Sequence, residues 1–250
     1  MSNITQRPNI KVYDNTGTLA AGMYNQFREL FTGQRSQNRP LHIALAGGST
    51  PLAFYEFLAK RPVDDIHWKT IHLWWGDERC VPPDHSDSNY RMVREALLDH
   101  IDIGAQNIHR IRGESDPDSE TIRYGKEIEE NIPLSPVGLP VFDLILLGIG
   151  EDGHTASIFP DSDFSADSIS YCVVTRHPGS GQKRITLTMP VLNQAKHVAF
   201  MVSGPAKADV VSKILKKQIE LKNLPAVKVI PVDGILFWFL DRAAASHLDK

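Results

Sequence analysis

The residues best equipped for chemistry lie in a few short segments. Asp152 and His154 stand two residues apart in Gly148-Ile149-Gly150-Glu151-Asp152-Gly153-His154. Imidazole exchanges protons near neutral pH, and a carboxylate beside it can orient the ring and stabilise its protonated form. His154 is therefore a candidate general base, with a purely structural loop histidine as the alternative. Asp152 could orient it, bind substrate hydroxyls or cap the turn. A second segment, Gly76-Asp77-Glu78-Arg79, carries a guanidinium that could grip a phosphate or carboxylate bidentately or stabilise an oxyanion. Asp77 and Glu78 could equally neutralise Arg79 in a structural ion network.

Two further segments suit an anion. In Gly47-Gly48-Ser49-Thr50-Pro51 the glycines let the backbone turn and approach a ligand, Ser49 and Thr50 offer hydroxyls and a cap, and Pro51 suits a first helical turn. Free amides at such a helix start would face a phosphate; a plain, well-capped turn reads from the same residues. In Ser203-Gly204-Pro205-Ala206-Lys207 a lysine enters the first turn of a helix, where the dipole favours negative charge, so a bound anion would offset the mismatch. Lys207 could instead extend into solvent. Arg184 opens a strand whose polar face it shares with Thr186 and Thr188, the alternative being an exposed edge-strand charge.

Several chemistries lack their signatures. Residues 148–153 match G-x-G-x-x-G by spacing, but a dinucleotide fingerprint opens a long helix and is followed by an acid about 20 residues on. Here Pro160 comes too soon, and the next strand ends in Thr175 and Arg176. A Gly-Lys-Ser/Thr ending is absent after Gly48, and neither an H-E-x-x-H pair nor a G-x-S-x-G elbow occurs. His85 is a lone loop histidine, and no cysteine cluster accompanies it. The expectation is a site with no cofactor and no metal.

Short apolar runs alternating with amphipathic stretches predict βαβ units feeding a mostly parallel sheet. Strands are predicted at 10–13, 41–46, 70–75, 108–112, 142–147, 171–175, 184–188, 197–202 and 226–229, and helices at 16–34, 51–60, 88–100, 119–131, 191–194, 206–216 and 236–245. Long polar loops at 77–87 and 152–169 follow apolar strands, the end of an open α/β sheet where ligands bind. The 250 residues, 42% hydrophobic and 23% charged, suit a single α/β domain over 1–250. A polar start without a signal-peptide core, no stretch approaching about 18 apolar residues and only two cysteines, Cys80 and Cys172, predict a cytoplasmic protein with reduced thiols and no membrane partner. A net charge of −3 gives no general attraction to nucleic acid, and Lys213, Lys216 and Lys217 read as a solvated helix face.

Taken in register, residues 45–52, 75–90, 142–160, 184–193 and 203–207 resemble the 6-phosphogluconolactonase family, within the wider group that contains glucosamine-6-phosphate deaminases. The resemblance implies a Rossmann-like three-layer αβα fold and hydrolysis of a small phosphorylated sugar lactone, 6-phospho-D-glucono-1,5-lactone, in the oxidative pentose phosphate pathway. It implies a phosphate site at Gly47, Gly48, Ser49, Thr50, Arg184 and Lys207, and a reacting end at Asp77, Arg79, Asp152 and His154. A monomer or a homodimer is expected. The deaminase branch carries a glutamate five residues after the equivalent histidine, where this chain has Phe159. A sugar-phosphate sensor fused to a DNA-binding module would need a helix-turn-helix segment, for which residues 1–9 leave no room.

Overall fold

The computed structural model describes residues 8–33, 39–62, 65–160, 170–216 and 223–248. In chain order the strands are β1 (Asn9–Tyr13), β2 (Leu41–Leu45), β3 (Ile71–Trp75), β4 (Asp77–Arg79), β5 (Ile108–His109), β6 (Leu144–Leu147), β7 (Cys172–Arg176), β8 (Lys183–Leu187), β9 (His197–Val202) and β10 (Ile235–Asp241). The α-helices are α1 (Thr16–Gly33), α2 (Ser49–Ala59), α3 (Asn89–Ala96), α4 (Pro117–Asn131), α5 (Met189–Gln194), α6 (Ala208–Leu215) and α7 (Arg242–Ala245).

Seven strands form one sheet in the order β1-β10-β9-β6-β2-β3-β5, and every pairing in it is parallel. Parallel sheets are covered on both faces, and β2 and β6 are accordingly buried along their whole lengths. Neighbouring side chains of β3 show the layering: Trp75 packs on Tyr90 of α3, while Trp74 points the other way onto Tyr124 of α4. Helices thus lie on both faces, an α/β arrangement of three layers. β4, β8 and β7 form a second, antiparallel sheet of three strands. The chain leaves the large sheet at Gly76, whose N–H donates to Leu45 O at 2.9 Å and whose carbonyl accepts from Leu187 N at 2.8 Å.

The order has a consequence for ligands. From β2 the chain winds outward through β3 to β5, then returns to place β6 on the other side of β2. Such a reversal opens a crevice at the carboxyl ends of the two strands, and the glycine-rich segments at 47–48 and 148–153 both begin there.

The structure corrects several predicted elements. Residues 236–245 are chiefly strand β10, with only the short α7 after it. The run from Ile235 to Leu240 is an interior strand between β1 and β9, and from Phe237 onward consecutive side chains are buried whichever face they take, so it carries no period. The strand predicted at 226–229 falls instead largely in a 3-10 turn, Pro225–Lys228, which Pro225 opens with a φ suited to a first helical position. The loop at 77–87 contains β4, and the strand at 108–112 stops at His109. α4 starts earlier than predicted because Asp116 caps it, accepting from Ser119 N. The helix at 206–216 opens as a 3-10 turn, Pro205–Lys207. Gln34, Lys217 and residues 161–169 of the second long loop lie outside the described residues; Lys213 and Lys216 are exposed. Among the described residues no helix is long and apolar enough to cross a membrane.

Candidate active site

A cleft of about 230 Å³ sits at the switch point, lined by Gly47, Gly48, Ser49, Thr50, Asp77, Arg79, His154, Arg184 and Lys207 together with Asn89, Ala156 and Ser203. Of the residues expected at the phosphate site and the reacting end, Asp152 alone does not line it. It stands behind His154.

The loop after β6 is a tight turn. Gly150 N donates to His154 O at 2.9 Å and Gly153 N to Gly150 O at 3.0 Å, with Gly153 at φ 81. Through Pro160 it opens no helix, unlike a dinucleotide loop. Asp152 Oδ1 lies 2.6 Å from His154 Nδ1 and also accepts from His154 N at 3.2 Å. A carboxylate can only accept, so Nδ1 carries a hydrogen, and in the neutral ring Nε2 keeps its lone pair. Burial acts to raise the Asp152 carboxyl, but the His154 N–H bond and the imidazole charge outweigh it and hold it below the usual range. Gly150 is required by this pair: a Cβ there would stand 2.1 Å from His154 Nδ1 and 2.4 Å from Asp152 Oδ1. The His154 ring rests on buried Phe159, centroids 4.8 Å apart.

After β2, Tyr55 clamps the chain by exchanging hydrogen bonds with both the N–H and the carbonyl of Ala46. Gly47 then packs against Asn89, whose Oδ1 would be 2.0 Å from a Cβ. The cap of α2 differs from the predicted Ser/Thr cap. Gly48 occupies it at φ 106, where glycine is favoured, and no side chain caps the helix. The Ser49 and Thr50 amides lie in the first turn, where no intrahelical acceptor exists, and Pro51 has no N–H. That end of α2 faces the cleft with the free amides that could cradle an anion. Thr50 Oγ1 meets Ser203 Oγ at 2.7 Å, tying the β2 loop to the β9 loop. The β9 loop is held in turn by Asp241, which accepts from Gly204 N at 3.1 Å and also caps α7.

The third wall comes from the small sheet. Arg79 and Arg184 are direct cross-strand partners in β4 and β8. Like charges so placed repel, and burial together with the Arg79 charge pushes the Arg184 guanidinium below its ordinary value. Both Nε atoms are buried and have no hydrogen-bond partner among the described residues. β8 is the central strand of its sheet, which removes the exposed-edge alternative for Arg184. The ion network considered for Arg79 is absent among the described residues. Its Nη1 donates to Asp87 O at 2.6 Å, while Glu78 instead accepts from the N–H groups of Arg79, Asn89 and Tyr90 and from Ser88 Oγ, capping α3. Partly desolvated guanidiniums without a carboxylate partner among the described residues, facing a cleft, are suited to an anion.

Asn89, Ser157, Ser203 and Asp241 escaped the sequence reading. Ser203 and Asn89 stood within the segments quoted, but nothing in spacing says that they reach Thr50 and Asp77. Among the described residues no group of three or more His, Cys, Asp or Glu side chains is arranged to hold a metal ion.

Comparison with known proteins gives a consistent picture. The family model described as glucosamine-6-phosphate isomerases/6-phosphogluconolactonase matches residues 14–238. The 6-phosphogluconolactonase of Haemophilus influenzae is 45% identical over 84% of this chain and 89% of its own length. The solved structure of 6-phosphogluconolactonase from Trypanosoma brucei superimposes with a TM-score of 0.87 at 32% identity, covering 96% of this chain and 98% of that one. A monomeric glucosamine-6-phosphate deaminase shares the fold, with a TM-score of 0.79 at 21% identity over 96% of this chain and 99% of that one.

Proposed function

This chain belongs to the glucosamine-6-phosphate isomerase/6-phosphogluconolactonase family, and we propose that it hydrolyses 6-phospho-D-glucono-1,5-lactone to 6-phosphogluconate with His154 as the general base. The observation that carries the base assignment is the Asp152–His154 pair, which turns Nε2 away from the carboxylate beside a cleft whose small-sheet wall holds two guanidiniums with no carboxylate partner among the described residues.

In this reading the Ser49 and Thr50 amides, Arg184 and Lys207 hold the phosphate. His154 Nε2 takes a proton from water as its oxygen bonds to the lactone carbonyl carbon. Arg79 stabilises the negative charge that develops on the carbonyl oxygen. Collapse of the tetrahedral intermediate breaks the bond to the ring oxygen, which receives the proton back from His154; the new carboxylic acid then ionises. Asp152 holds the ring in the tautomer that both steps require. The free thiols Cys80 and Cys172 fit a cytoplasmic location.

Deamination of an amino-sugar phosphate is the sharpest rival, and Phe159 weighs against it. At the position where that branch has a carboxylate, this chain has a buried ring packed on His154. The test is to follow freshly generated 6-phosphogluconolactone against its spontaneous decay, and ammonia release from glucosamine 6-phosphate in parallel. Rapid loss of the lactone without ammonia is expected; the reverse pattern would overturn the reading.

A further inference from the structure

One hydroxyl behind the cleft wall touches charged groups from both ends of the site. Ser157 is fully buried, and its Oγ lies 2.6 Å from Asp77 Oδ2 and 3.4 Å from Arg184 Nη1. The carboxylate and the guanidinium leave only one polarity: Ser157 donates to Asp77 and accepts from Arg184. Its own N–H donates to Thr186 Oγ1 at 3.1 Å, which fixes the backbone. The preceding Ala156 lines the cleft at φ 48, and among the described residues no other non-glycine has a positive φ. The chain therefore adopts a conformation that L-residues disfavour, at the point where the serine is sent into the wall.

Asp77 and Arg184 are opposite charges on paired strands, yet among the described residues they form no ion pair; the serine hydroxyl stands between them. Arginine and carboxylate pair readily in bidentate fashion, and an Arg184 so engaged would have fewer N–H groups to offer a ligand. We propose that Ser157 is a positioning residue that occupies Asp77 and thereby keeps Arg184 free for the phosphate. Removing the hydroxyl lets the carboxylate capture the guanidinium, so a serine that touches no substrate controls the affinity of the anion end. This rests on the assignment of Arg184 to the phosphate.

The experiment measures binding of inorganic phosphate by calorimetry, so that lactone chemistry does not enter, in wild type, Ser157→Ala, Asp77→Asn, the double variant and Arg184→Ala. Ser157→Ala is expected to weaken phosphate about tenfold. In the Asp77→Asn background, where no charge remains to capture Arg184, the same change should alter binding less than about twofold. An unchanged affinity in Ser157→Ala, or an equal loss in both backgrounds, would overturn the proposal. If Ser157→Ala does not fold, Ser157→Cys, a near-isostere with a weaker donor, should show a smaller loss that again disappears with Asp77→Asn; its persistence there overturns the proposal too. Arg184→Ala separates the layers: unaltered phosphate binding in that variant would remove the phosphate assignment itself, whereas loss in Arg184→Ala beside no effect in Ser157→Ala removes only the role of the serine.

Discussion

The two ends of the cleft are built on opposite plans. The end proposed for proton transfer is local: Asp152 and His154 lie two residues apart, and one glycine turn positions both. The anion end is assembled from a distance, from the start of α2, from β8 and from the loop after β9, joined by contacts such as Thr50 to Ser203. A local device can be read along the chain and broken by one nearby substitution. A device made by topology appears only once the strand order is known, and its strength is spread over several residues.

That contrast can be broken or sharpened by experiment. A large effect is expected from Gly150→Ala, whose methyl would meet the tips of His154 and Asp152 first and so move the proposed base. A misplacement near 1 Å can cost about 10²-fold in rate; kcat should fall by that order with 6-phosphogluconate binding unchanged. Unimpaired kcat would show that the turn does not position the base. Next, Arg184→Ala removes charge-assisted contacts worth about 1.5–3 kcal/mol, so KM for the phosphorylated lactone should rise about 10- to 100-fold. A fall confined to kcat would move Arg184 to the reacting end. Thr50→Val removes one of several shared contacts, and a KM increase of about threefold is expected, readable by the same assay. A thirtyfold increase would mean the anion end is no more distributed than the other.

The smallest effect is on stability. Asp152 has its folded value depressed, so its contribution is present above its unfolded value near 4 and is lost as pH falls through the folded value. Because the pair is partly exposed, that contribution is at most about 1 kcal/mol. Asp152→Asn should therefore lower the denaturation midpoint slightly at pH 7, and the gap should narrow as the pH falls below about 4 towards the depressed folded value. A gap independent of pH would mean that the carboxylate charge is not what the loop uses.

Legibility from sequence followed the same division. The carboxylate and imidazole of the β6 loop, the glycine cradle and the lysine after Gly204 were all visible as residue types at strand ends, where α/β sheets bind ligands. Alternation of apolar runs gave most of the parallel sheet. It failed at β10, where burial on both faces erases the period, and at Pro225–Lys228, where a short apolar stretch mimics a strand. β4 was hidden in a charged segment, since Asp77, Glu78 and Arg79 pair with β8 through backbone atoms that carry no sequence signal. Glu78 looked like a partner for Arg79 and proved to be a helix cap, and Ser157 gave no signal because both of its partners are remote in the chain.

In the proposed mechanism proton transfer and phosphate recognition are separable functions of one cleft, and that separation can be measured. It is tested most directly by measuring His154→Ala and Arg184→Ala on both 6-phosphogluconolactone and unphosphorylated glucono-1,5-lactone, each corrected for spontaneous hydrolysis. His154→Ala should lose about 10²- to 10⁴-fold in rate on both substrates, and Arg184→Ala should lose only on the phosphorylated one. Near-full activity of a folded His154→Ala variant, or equal losses on both lactones in Arg184→Ala, would contradict the account.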